Sequence, residues 1–100
     1  MATTNQVLKA RVERGAALLD AEEPGWAPRI DVPTLDMGDG RYCVLGQTYD
    51  SFDSGTSALN LRRRQRMQSH GFDAVGYDEY DRLLPLWREA IEARCGGSER

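Results

Sequence analysis

Leu8, Val12, Gly15, Ala16 and Leu19 recur at spacings of three and four, while Arg11, Glu13, Arg14 and Asp20 fall mostly off that stripe. The period predicts an amphipathic helix over residues 5–22. Thr3 followed three residues later by Gln6 fits a capping box at its start. Gly15 stands inside the apolar stripe, where glycine costs about 1 kcal/mol relative to alanine. Its position there predicts a close helix crossing. Pro24-Gly25 ends the helix.

Residues 24–40 hold three prolines and three glycines, so long regular elements are excluded. Single helical turns are compatible with Pro24 before Trp26 and with Pro33 after Asp31. Trp26, Ile30, Val32, Leu35 and Met37 are too apolar for a solvated linker and predict an irregular segment laid on the core. Asp39-Gly40 closes it as a turn.

In "RYCVLGQTYDSF", Tyr42, Leu45, Tyr49 and Phe52 recur at three, four and three, which predicts a short helix over 42–52. Tyr42, Cys43, Val44, Thr48 and Tyr49 favour extended structure instead. A strand over 42–49 therefore stays open. Residues 53–60 read as a loop. Residues 61–70 are rich in helix formers, with Asn60 as a cap and Gly71 as a stop, and Phe72 packs back near Met67. Residues 73–83 read as irregular or briefly helical. A final helix over 85–95 places Leu83, Trp87, Ala90, Ile91 and Arg94 on one face and ends at Gly96-Gly97. It starts near Pro85, because a proline in the helix interior costs about 3 kcal/mol.

These elements define a mainly α-helical fold: a small single-domain helical bundle with irregular connecting segments, anchored by Trp26 and Trp87. A small α+β arrangement with 42–49 as a strand is the alternative. The domain spans residues 1–95 and 96–100 form a flexible tail.

Composition narrows the function classes. Thirteen Lys and Arg against 16 Asp and Glu give a net charge of −3, so no global basic field exists to hold nucleic acid. Residues 1–60 carry five basic and nine acidic side chains, whereas 61–100 carry eight and seven. No signal-peptide pattern opens the chain, and no apolar run approaches the roughly 20 residues of a membrane span. A reducing cytoplasm is expected, with Cys43 and Cys95 as free thiols.

Cys43 is the one candidate nucleophile, but His70 is the only histidine and nothing in the sequence pairs them. The favoured reading of Cys43 is a buried packing residue. Gly46 then marks close backbone approach, and Gln47 is the polar group of the stretch. Two Cys and one His at long separations do not form a zinc site. "DMGDG" and "DSFDSG" lack calcium-loop ligand spacing and read as turns. Neither GxGxxG, a P-loop nor a nucleophile elbow is present. No enzyme activity, metal or cofactor is expected. Arg62, Arg63, Arg64 and Arg66 form the most distinctive charge cluster. On a helix, Arg62, Arg63 and Arg66 share an arc that could contact phosphates. The competing reading is neutralisation by Asp73, Asp78, Glu79 and Asp81.

"RGAALLD" (14–20), "PGW" (24–26), "RID" (29–31), "LDM" (35–37), "CVLGQ" (43–47), "HGFD" (70–73) and the spaced Glu79–Ile91 pattern follow one another over residues 12–94. In this the chain resembles a group of short, uncharacterised proteins encoded by actinobacterial phages and chromosomes. One departure is Leu84 before Pro85, where that pattern would place a capping Thr. The resemblance implies a phage-type accessory protein in the host cytoplasm, with Trp26, Cys43, Gly46, Gln47 and Trp87 as structural signature residues, and it implies no cofactor. The expected function is a non-enzymatic protein–protein interaction module whose partner is a host or phage protein or a second copy. DNA binding through the Arg62–Arg66 helix is the alternative.

Overall fold

The computed structural model describes residues 4–95, so Thr3, the Gly96-Gly97 stop and the 96–100 tail lie outside the described residues. Five α-helices occur in this region: α1 (Asn5–Glu22), α2 (Val44–Tyr49), α3 (Phe52–Ala58), α4 (Arg64–Ser69) and α5 (Tyr77–Arg94). No strand occurs among the described residues, so 42–49 is not extended.

The two 18-residue helices α1 and α5 form the main helix pair. Leu8, Val12, Gly15, Ala16 and Leu19 are the buried residues of α1, the predicted stripe in full. Its cap is Thr4, whose hydroxyl accepts from the Val7 amide. Leu83, Trp87 and Ile91 are the buried residues of α5. Trp87 joins Trp26 edge-to-face at 6.0 Å and stacks on Phe72 at 5.4 Å. All three rings are at most 1% exposed, so the predicted anchors do sit at the centre of the core.

The connector between α1 and α2 lays Trp26, Ile30, Leu35 and Met37 into that core. It carries two single 3₁₀ turns, Ala27–Arg29 around Pro28 and Val32–Thr34 around Pro33. The first turn is thus built on Pro28 rather than Pro24.

The predicted 42–52 helix is two helices. Asp50 adopts a left-handed φ of 80°, which ends α2, and the Ser51 hydroxyl caps α3 by accepting from Ser54 N. The expected loop over 53–60 is mostly α3. Gly55 permits this packing: a Cβ there would lie 2.8 Å from Leu45 Cβ. Asn60 does not cap the next helix. At φ 59° it closes α3, with Leu61 N donating to Thr56 O and Asn60 N to Ser57 O. Gly71 closes α4 in the same way, with Phe72 N donating to Met67 O and Gly71 N to Gln68 O.

The last helix starts eight residues earlier than its sequence signals predict. Gly76 is its N-cap and Pro85 lies inside it. Pro85 and Asp81, whose carbonyl loses its partner, are both exposed, so water can satisfy that carbonyl. Leu84 therefore lies well within α5, and the departure there concerns no cap.

Two glycines hold close contacts. A Cβ on Gly15 would collide with the His70 carbonyl oxygen and lie 3.0 Å from Trp87 Cη2. This is the predicted close crossing, made between α1 and the C-terminal end of α4. A Cβ on Gly46 would lie 2.5 Å from the Arg41 carbonyl.

Candidate functional site

The Asp-bearing turn over 36–41 and the Asp-bearing start of α3, residues 50–53, converge on one cleft. Asp36 Oδ1 accepts from Gly38 N, and Asp39 Oδ1 accepts from Arg41 N, so two carboxylates lock the 36–41 turn. Phe52 N donates to Gly40 O at 2.9 Å, which ties the start of α3 to that turn. The resulting cleft has a volume of about 410 Å³. Met37, Phe52, Phe72 and Tyr80 give it apolar surface, while Asp39, Arg41, Asp53 and Asp73 give it charge.

Asp73 is the most constrained of these groups, at 8% exposure. Arg64 Nε donates to its Oδ2 at 3.1 Å and the Tyr80 hydroxyl donates to its Oδ1 at 2.5 Å. Burial, and then the Asp73 carboxylate beside it, raise the Tyr80 phenol above its usual pKa. The three residues connect α4, the 72–76 segment and α5 at the cleft edge. The arginine cluster predicts Asp73 as a neutralising partner, which it is for Arg64, but nothing in the sequence marks Tyr80 as its second partner. The Asp73–Tyr80 pairing spans a non-periodic segment, and no spacing rule reports it.

Cys43 lines the cleft but is only 1% exposed. Its Sγ accepts from Gly46 N at 3.2 Å and caps α2. Burial pushes its thiol pKa up, the opposite of an activated nucleophile. His70 Nδ1 instead lies 2.8 Å from Arg66 O. Cys43 and Cys95 are free thiols.

Gln47 is a clamp. Its Oε1 accepts from Asp31 N at 2.6 Å, and its Nε2 donates to Tyr42 O at 3.0 Å and to Asp31 O at 3.3 Å. One amide thus fixes the connector to the start of α2.

The arginine cluster is not a helix face. Arg62 and Arg63 precede α4, with Arg63 at the N-cap, and only Arg64 and Arg66 are helical. Arg64 is the member that finds a carboxylate, in Asp73. Arg62, Arg63 and Arg66 are exposed and form no ion pair among the described residues, so the expected neutralisation by Asp78, Glu79 and Asp81 does not occur.

Among large apolar side chains, Val7 is 43% exposed, Tyr42 46%, Val75 79% and Tyr77 85%. Tyr42, Val75 and Tyr77 lie within three residues along the chain of a cleft-lining position: Arg41, Asp73 and Tyr80 respectively. No group of three or more His, Cys, Asp or Glu among the described residues could hold a metal ion. No helix there is long and apolar enough to cross a membrane.

The described residues form a small all-helical structure in which the cleft of about 410 Å³, with mixed apolar and charged lining, is the roomiest of three concavities. Comparison with protein-family models, curated proteins and solved structures finds no match to this chain.

Proposed function

We propose that this chain is a non-enzymatic interaction module, a phage-type accessory protein of the host cytoplasm, and that it binds protein through the cleft and its rim. The observation that carries the reading is a cleft with apolar walls together with the exposed Val75 and Tyr77, which lie two and three residues along the chain from its lining Asp73 and Tyr80. Exposed apolar side chains grouped at a concave, charged surface are characteristic of protein contacts. The cleft's thiol supports the same reading, since it caps a helix and carries a raised pKa.

The test is photo-crosslinking in an actinobacterial lysate, with a benzophenone side chain in place of Tyr77 or of exposed Glu89. A discrete protein adduct from position 77 and none from position 89 is expected. No adduct at 77, or the same adducts at both positions, overturns the reading.

The unpaired Arg62, Arg63 and Arg66 favour DNA binding as a second reading. Its affinity for duplex DNA would fall steeply with salt. Absence of binding at low salt would remove it.

A further inference from the structure

The exposed arginines and the Asp-bearing cleft lie close together on the chain's surface. Arg64 bonds directly to Asp73 of the cleft, and Arg62 and Arg63 immediately precede it. Asp53 stands in the first turn of α3, and Leu61 closes that helix's other end through Thr56 O. Seven helical residues span about 10 Å. The two patches are therefore adjacent but do not neutralise each other.

Their charges match. Asp39 and Asp53 line the cleft against Arg41, Asp73 being assigned to Arg64, and the exposed Asp36 and Asp50 flank that lining on the same two segments, a balance of −3. Arg62, Arg63 and Arg66 supply +3 once Arg64 is assigned to Asp73. Asp73 and Arg64 aside, none of these carboxylates or guanidiniums has an ion-pair partner among the described residues.

We infer that the cleft's occupant is a second copy of this chain, in a two-fold dimer. This deepens the proposed function and rests on its reading of the cleft face as an interaction surface. In a two-fold interface the same patch serves both subunits, so every contact occurs twice. Adjacent patches of opposite sign satisfy that condition: the arginines of one protomer meet the acidic segments of the other, and the reverse. Val75 and Tyr77 supply the apolar contact that charge alone does not. Exposed charges act mainly by selecting and orienting the partner.

The experiment is sedimentation of the full chain, alone and with charge-reversed variants. Wild type at low salt should sediment at twice the 11.2 kDa chain mass and shift towards monomer at about 0.5 M salt, where the Debye length falls to a few ångströms. Arg62→Glu, Arg63→Glu and Arg66→Glu together should weaken dimerisation by about tenfold or more, as should Asp39→Lys with Asp53→Lys. Mixing the two variants should restore a dimer, because each reversed patch then meets its complement. Circular dichroism checks each fold, and Arg→Gln with Asp→Asn versions replace any reversed variant that unfolds. With neutral versions, both sets should weaken the dimer, and an unchanged dimer overturns the inference. So does a wild type that stays monomeric at about 100 µM and low salt, or a mixture of reversed variants that associates no better than either alone. A monomer whose position 77 still crosslinks to another protein removes self-association and leaves the interaction reading standing. A monomer with no adduct removes both.

Discussion

Gly15→Ala sets helix propensity against packing. Gly15 is in the middle of α1, where alanine would gain about 1 kcal/mol on propensity alone. The added methyl would collide with the His70 carbonyl oxygen, 3.1 Å from His70 C and 3.0 Å from Trp87 Cη2. Neither neighbour yields easily. His70 ends α4, whose exit is fixed by the Gly71 and Phe72 amides. The Trp87 indole is held by its own bond to Gly71 O at 2.8 Å and by Phe72 stacked on it. Overpacking against such neighbours costs about 1–3 kcal/mol or somewhat more. After the propensity gain, a net loss of about 2 kcal/mol is expected, at the upper end of that range. For a chain of this size that lowers Tm by about 8–16 °C. Urea unfolding followed by tryptophan fluorescence measures it directly, because Trp26 and Trp87 are both buried. Gly38→Ala is the control: its Cβ would meet nothing nearer than Asp36 Oδ1 at 3.5 Å. That variant should gain about 0.4–1 kcal/mol through the unfolded chain. A Gly15→Ala midpoint at or above wild type would refute the packing argument.

Pro85→Ala should stabilise the chain by about 1–3 kcal/mol in the same urea assay, since it restores an interior helix donor on an exposed face. Loss of stability would mean that α5 does not run through Pro85. Gln47→Glu keeps the shape and the bond from Asp31 N but sets a carboxylate against the Tyr42 and Asp31 carbonyls. A loss of about 1–3 kcal/mol is expected, and an unchanged midpoint would show that the clamp contributes little. The Arg94 hydrogen bond holds the Asp20 carboxyl below its ordinary value of 3.8, with Trp26 Nε1 also donating to it. A depressed folded pKa stabilises above the unfolded value and is lost as pH falls through the folded one. The Tm advantage of wild type over Asp20→Asn should thus be constant from about pH 5 to 8 and shrink below about pH 4; an advantage independent of pH would contradict the pairing.

Where burial alone sets the pattern, the sequence was readable. The α1 stripe, the Trp26 and Trp87 anchors, and the close approaches at Gly15 and Gly46 all follow from spacing and residue size. The stop at Gly71 was legible because glycine at positive φ has one common use after a helix. Asn60 was not, since asparagine serves at either end of a helix and the choice depends on where Leu61 is buried. α3 was hidden by Gly55, Ser57 and Thr56, weak helix formers that become helical only against Leu45 and Tyr49. Pro85 pointed to a helix start, and only the tertiary seat of Leu83 draws the helix back to Tyr77. The cleft was least legible. The 36–40 segment was recognisable as a turn, whereas the expected turn over 50–55 is largely the start of α3, and what each faces is set by contacts made across tens of residues.

The pairing of α1 with α5 also determines when this chain can fold during synthesis. Asn5 accepts from Arg82 and Asp20 from Arg94, contacts 77 and 74 residues apart in the chain. The helices made in between have six or seven residues, too short to persist without a packed neighbour. A growing chain therefore carries the apolar stripe of α1 without its main partner until the ribosome has released residues 77–94. Folding then proceeds in one late step, and a truncation that removes α5 should leave no smaller native core behind.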